Sequence, residues 1–205
     1  MLLFYISILV SAGASLATAA AVDRTAGSSP LSDYEFYDLE WDIEVAPGRH
    51  EVLTGTVEEV IAKATELNPS FMATLEPQAL DAADNKTALA DANGWVGGTL
   101  KCHEFLDEGA DIGRIRQGID YLNRLRSKPR VRPGPRLCAR VSCSHNSAIN
   151  ICNDNKDWIE LQNWQVVTGI TSYIIDACSA PGDKYLYGQF FTYYMYNILI
   201  RLDAC

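Results

Sequence analysis

Three cysteines and a histidine fall within fifteen positions in the stretch CARVSCSHNSAINIC, residues 138–152. Such a cluster admits three chemistries: a metal site, a thiol nucleophile with its base, or part of a disulfide framework. A metal site needs closely spaced thiolates and a fourth ligand, for which His145 is the local choice. The gaps of four and then eight residues between Cys138, Cys143 and Cys152 match no C-x₂-C zinc pattern. A nucleophile reading makes Cys143 the attacking group and His145 its base, since residues two apart on a strand share a face. Against both stands the arithmetic of the whole chain. Its six cysteines, Cys102, Cys138, Cys143, Cys152, Cys178 and Cys205, all lie in the second half. An even count concentrated there, in an exported protein, reads as three disulfides. Fifteen pairings are open; Cys178 with Cys205 is the favoured one, tying the second helix to the terminal strand. No catalytic residue, metal or cofactor is expected.

Export is read from the N-terminus. MLLFYISILVSAGASLATAAAVD has no charge before Asp23, an apolar run from Leu2 to Val10, and small residues after it. This is the pattern of a secretory signal peptide over residues 1–21, cleaved near Ala19 or Ala21. The run is short of the ~20 apolar residues a membrane span requires, so no transmembrane segment is expected in the mature, secreted, extracellular protein. Tyr185 to Leu202 is apolar, but its Gln189, Asn197 and Arg201 suit a sheet better than lipid.

Charge divides the chain where cysteine content does. Residues 22–100 carry fifteen acids and four bases, a net of −11. Residues 101–205 carry eleven acids and thirteen bases, a net of +2. The expected organisation is an acidic N-terminal region over 22–98, a potential prodomain, followed by a cysteine-rich α+β domain over 99–205. Their junction is the Asn/Ala/Gly-rich segment at 81–98, and Asn85 within it heads a glycosylation sequon. Nine of the seventeen bases fall in 27 residues: Arg114, Arg116, Arg124, Arg126, Lys128, Arg130, Arg132, Arg136 and Arg140. That run suits phospholipid head groups, nucleic acid or an acidic partner, or a solvated face, or internal neutralisation by the acidic region. Of these, a partner-binding patch at a host or competitor cell surface and an intramolecular contact with the acidic region are carried forward. No nucleic-acid partner is expected.

The elements that must position these residues are legible. Tyr37, Leu39, Trp41, Ile43 and Val45 alternate with acids, the period of a strand with one buried face. Pro47-Gly48 turns the chain and HEVLTGT returns it. Thr56 and Glu59 form a capping box before a helix faced by Val57, Val60, Ile61, Ala64 and Leu67, which Asn68-Pro69 ends. In the second half TLKC at 99–102 predicts a strand, and Asp111 caps a helix with Ile112, Ile115, Ile119, Leu122 and Leu125 at helical spacing. The three prolines and glycine of SKPRVRPGP stop it. RLCARVSCS and AINICN predict a hairpin turning at His145-Asn146. A helix over Trp164 to Cys178 and a terminal strand, or bent pair, complete a β-α-β-β-α-β order. That order predicts two helices on one face of an antiparallel sheet, a disulfide-bonded sandwich preceded by a smaller acidic hairpin and helix. His50 and His103 read as surface residues, and CNDNKD at 152–157 lacks the spacing and glycine of an EF-hand loop.

At PGPRLCARVSCSHNSAINICND, residues 133–154, the chain resembles small secreted cysteine-rich effector-like proteins of filamentous ascomycete fungi. The order of elements is similar to smut-virus killer toxins and fungal necrosis-inducing effectors. The resemblance implies a non-enzymatic protein that binds a host or competitor target. Killer toxins lack a long acidic N-terminal half, so their channel blockade transfers to no residue here. The alternatives are a secreted hydrolase with a dispersed site and a passive wall or surface protein. One expectation follows from the cysteine count alone. Alkylation of the unreduced protein should label no cysteine in mass spectrometry, and a labelled Cys143 would return the metal and nucleophile readings to contention.

Overall fold

The computed structural model describes residues 31, 33–75, 97–102 and 109–205. The expected signal peptide, Asn85 and His103 lie outside the described residues. Asp33–Cys205 forms one compact unit.

Leu39, Trp41, Ile43 and Val45 are all buried while Glu40, Asp42 and Glu44 between them are exposed, as the alternation predicts. The strand signal nevertheless divides in two. Strand β1 (Glu35–Asp38) joins the main sheet, whereas β2 (Glu40–Ala46) and β3 (Arg49–Thr54) form a separate two-stranded hairpin. Gly55, at a φ of 135°, turns the chain into α1 (Val57–Leu67). There the Thr56 N–H donates to Glu59 Oε2 at 2.9 Å, capping the first turn as its sequence predicts. A short α2 (Phe71–Thr74) follows, and its Phe71 is buried.

The second half supplies β4 (Gly98–Cys102), β5 (Ala110–Asp111), α3 (Ile112–Arg124), β6 (Arg130–Val131), β7 (Leu137–Ser144) and β8 (Ser147–Asn153). It continues with β9 (Ile159–Glu160), α4 (Trp164–Cys178), β10 (Tyr185–Leu186), β11 (Gly188–Thr192) and β12 (Tyr196–Leu202). Asp111 accepts from the Arg114 N–H at 3.0 Å and Asn163 from the Val166 N–H at 3.3 Å, so each long helix starts on a side-chain cap. His145 and Asn146 both have positive φ, 49° and 59°. That is the tight turn whose twist matches paired strands. The terminal segment is a hairpin, β11 against β12, and the Asn155 amide donates to the Tyr194 and Met195 carbonyls at its tip.

The fold is mixed α+β. Its principal sheet has six strands in the order β1-β7-β8-β12-β11-β4. Every pair is antiparallel except β1 with β7, which is parallel. The register sets Ile149 opposite Ile200 and Ile151 opposite Ile198, one apolar face of fully buried side chains. Helices α1, α3 and α4 pack on that face. Gly118 of α3 meets Ser142 and Ile149 so closely that a Cβ would overlap the Ser142 hydroxyl. From α1, Glu58 accepts from that hydroxyl at 2.6 Å and from the Cys143 N–H at 3.1 Å.

One difference from expectation has a physical cause. The favoured Cys178–Cys205 pairing does not form; the pairs are Cys102–Cys178, Cys138–Cys152 and Cys143–Cys205. Sheet register decides this. Pairing of Gly188 with Cys102 brings β4 beside the end of α4, while pairing of Leu202 with Ser147 delivers Cys205 to Cys143. Contacts also cross the composition change near residue 98. Within Asp33–Cys205, β1 pairs with β7 and the Trp41 ring stacks on Trp164 with centroids 4.6 Å apart.

Trp41 is 2 % exposed and Trp164 is 1 % exposed, so truncating Trp41 empties a site at the centre of the core. Trp41→Ala should cost about 3–5 kcal/mol in urea unfolding. A loss below about 1 kcal/mol would show that the acidic hairpin only leans on the second half.

Candidate binding cleft

A cleft of about 810 Å³ opens where the β2–β3 hairpin faces the segment that follows α3. Its apolar floor includes Trp41, Phe71, Leu125 and Trp164. Strand alternation places this floor. Trp41 faces inward because its neighbours Glu40 and Asp42 face out, and its indole N–H donates to the Gly55 carbonyl at 2.7 Å. Trp164 is the first residue of α4, directly after the Asn163 cap.

One wall is acidic. Glu40, Asp42 and Glu44 project at alternate positions along β2, and His50 stands on β3 opposite Glu44. The other wall is basic and aromatic: Arg126, Lys128, Arg130 and Arg132, with Trp158. Each acid has a partner. Arg132 lies 3.3 Å from Glu40, His50 Nδ1 lies 2.8 Å from Asp42, the Gly48 N–H donates to Glu44 at 2.8 Å, and Lys128 lies 3.7 Å from Glu160. The guanidinium of Arg130 covers the Trp158 ring at 4.5 Å, although that indole stays 49 % exposed. Arg132 covers Tyr37 at 4.7 Å, and its backbone N–H donates to the Tyr37 hydroxyl at 2.8 Å. Burial pushes the Tyr37 phenol above its ordinary value, with the Arg132 N–H opposing.

The basic run therefore separates by position. Arg126, Lys128, Arg130 and Arg132 line the cleft. Arg114, Arg116 and Arg124 remain on α3, where Arg114 bonds Gln117 at 3.0 Å. Arg136 pairs with Asp33 at 2.7 Å and Arg140 with Asp38 at 3.5 Å, beside the β1–β7 seam. Three arginines of the run thus meet acids of the N-terminal region: Glu40, Asp33 and Asp38. Most of these side chains are substantially exposed, so each pair contributes only about 0–1 kcal/mol.

The cysteine cluster lies apart from the cleft. Cys138 and Cys152 bridge directly across β7 and β8, and Cys143 is oxidised with Cys205, so Cys143 carries no thiolate for His145 to activate. His145 Nδ1 lies 2.8 Å from Ser144 Oγ instead. In the 152–157 loop, Asp154 accepts from the Asn197 amide and the Arg136 N–H, holding the loop to the sheet. Among the described residues no group of three or more His, Cys, Asp or Glu is placed to hold a metal ion, and no helix is long and apolar enough to cross a membrane.

Comparison with known proteins finds no matching family model, no matching curated protein and no matching solved structure.

Sequence analysis singled out Arg126, Lys128, Arg130 and Arg132 within a run of nine bases and expected that run to contact the acidic region, but it did not bring Trp41, Trp158 and Trp164 to the same cleft. The signal for the acids was present in the strict alternation of β2; what was lacking was that Glu40 on its solvated face meets Arg132. Trp158 offered no local signal.

The Asp42–His50 contact has a measurable consequence. The hydrogen bond that His50 Nδ1 donates to the Asp42 carboxylate raises the His50 pKa above its ordinary 6.5. A pKa raised by folding gives stabilisation that is complete below about 6.5 and is lost as pH rises through the folded-state value. The His50 ring should therefore titrate above 6.5 by NMR and return toward it in Asp42→Asn. Identical titration in the two proteins would remove the pair.

Ionic contacts between the two regions should matter little beside the tryptophan stack. Unfolding free energies from urea titration at low and high sodium chloride should agree within about 1 kcal/mol. A large loss at high salt would make charge, rather than apolar packing, the bond between them.

Proposed function

We propose that this chain is a secreted, effector-like or toxin-like protein that acts by binding a target on a host or competitor cell, without catalysing a reaction. The observation that carries this reading is the cleft itself, an 810 Å³ recess with an apolar floor, opposed charged walls and a half-exposed tryptophan. Recognition sites commonly combine such an apolar base with a few placed polar groups, and tryptophan and arginine are the residues that most often dominate binding energy. Three disulfides within one unit support the extracellular part of the reading, because such bonds persist in oxidising compartments. From β4 onward the long elements run strand, helix, two strands, helix, hairpin. This sequence of elements supports comparison with the compact toxin-like architecture expected from the chain.

A secreted hydrolase is the second reading, and one observation favours it. Glu40, Asp42 and Glu44 stand on one strand face in the cleft, so neighbouring carboxylates sit roughly 6–7 Å apart by strand geometry. That separation lies within or close to the range used by inverting glycosidases. Binding is preferred because each carboxylate already holds a cation, an imidazole or the turn N–H.

The decisive experiment applies purified protein to living plant and microbial cells beside the variant Arg130→Glu/Trp158→Ala. Cell binding and any toxic effect should fall about tenfold or more, with the thermal midpoint held within a few degrees. Undiminished action by a folded variant would refute the cleft as the target site. Turnover of a glycan that Asp42→Asn abolishes without weakening cell binding would establish the hydrolase instead.

A further inference from the structure

Resting on the binding role of the cleft, the backbone of β2 identifies what the cleft takes. We propose that the open edge of β2 is a strand-addition site for an extended polypeptide segment with basic side chains at alternate positions.

The phase of the hairpin carries this. The Gly55 N–H donates to the Leu39 carbonyl at 3.0 Å. Leu39 and Gly55 are thus a hydrogen-bonded pair in the register that sets Glu40 opposite Thr54. Such pairs alternate along antiparallel strands. Trp41–Leu53 and Ile43–Glu51 therefore exchange backbone bonds, while the N–H and C=O groups of Glu40, Asp42 and Glu44 point away from β3. Glu40, Asp42 and Glu44 all line the cleft. Among the described residues no side chain and no backbone outside the hairpin bonds to these groups. An exposed strand edge of this kind is a template for another strand.

Charge selects the occupant. On a paired strand, side chains directly opposite lie about 4.5–5.5 Å apart, so residues facing the acidic row are favoured as Lys or Arg. A second copy of β2 would set acid against acid and is disfavoured by the same rule. Arg132 already shows the preferred contact. It reaches Glu40 at 3.3 Å while covering Tyr37, and so closes the first position of the edge. Asp42 and Glu44 remain, each with one donor and one acceptor. Intervening side chains of the occupant would turn to Ile43, Phe71 and Leu75, which also line the cleft. Its far-edge carbonyls would face the donors of Arg126, Lys128 and Arg130.

The test uses the whole oxidised chain and the synthetic peptide Lys-Val-Lys-Val-Lys-Val. Binding should slow hydrogen exchange at the Asp42 and Glu44 amides. N-methylation of alternate residues should abolish binding in one phase, which blocks the edge facing β2, and spare it in the other. Asp42→Pro removes one outward N–H without removing a ladder bond, and should bind about tenfold more weakly than Asp42→Asn, which keeps that N–H. Equal binding by both N-methylated forms, or unchanged exchange at Asp42 and Glu44, would overturn strand addition. Equal binding of Glu-Val-Glu-Val-Glu-Val would overturn the basic occupant. Failure of every peptide, with cell action still abolished by Arg130→Glu/Trp158→Ala, would sink this inference and leave the cleft's binding role standing. A fully active cleft variant would remove both.

Discussion

The stack of Trp41 on Trp164, 4.6 Å between centroids and 21° between planes, joins two parts of the chain more than a hundred residues apart. Each ring buries a large apolar area, and a stacked aromatic pair adds about 0.5–1.5 kcal/mol beyond that burial. Its geometry has consequences beyond energy. With Trp41 buried against the start of α4, the alternation of β2 leaves Glu40, Asp42 and Glu44 outward. The floor and the acidic wall both follow from that one contact.

The charge asymmetry plays a different part. Arg132, Arg136 and Arg140 meet Glu40, Asp33 and Asp38, but exposed pairs of this sort contribute little to stability. They act as local guides, orienting side chains along a seam that apolar contacts have already closed. Where Arg132 reaches Glu40 the walls touch, and beyond that point Asp42, Glu44, Arg126 and Arg130 border an open recess.

The disulfides serve the scaffold. Cys138–Cys152 joins β7 to β8, Cys143–Cys205 holds the C-terminal residues to β7, and Cys102–Cys178 ties α4 to the edge strand β4. Closing loops of 14, 62 and 76 residues each restricts the unfolded chain by about 3–4.5 kcal/mol in the loop-entropy description. None of these cysteines lines the cleft. A cleft bordered by a short hairpin thus rests on a sheet whose strands are covalently held.

Local pattern determined the elements. The period-two run from Tyr37 to Val45, the Thr56–Glu59 cap, the two helices and the His145-Asn146 turn were each legible because their signals lie within one element's length. The even cysteine count likewise determined that no thiol remains free. Only the tertiary structure decided how these pieces meet: that β1 leaves its alternating run to pair in parallel with β7, that Cys205 reaches Cys143, and that Glu40 of β2 meets Arg132. Each of these depends on contacts between residues far apart in sequence, set by sheet register and by which buried rings fit together. Periodicity reports which face of an element is buried, but it carries no information about the partner that buries it.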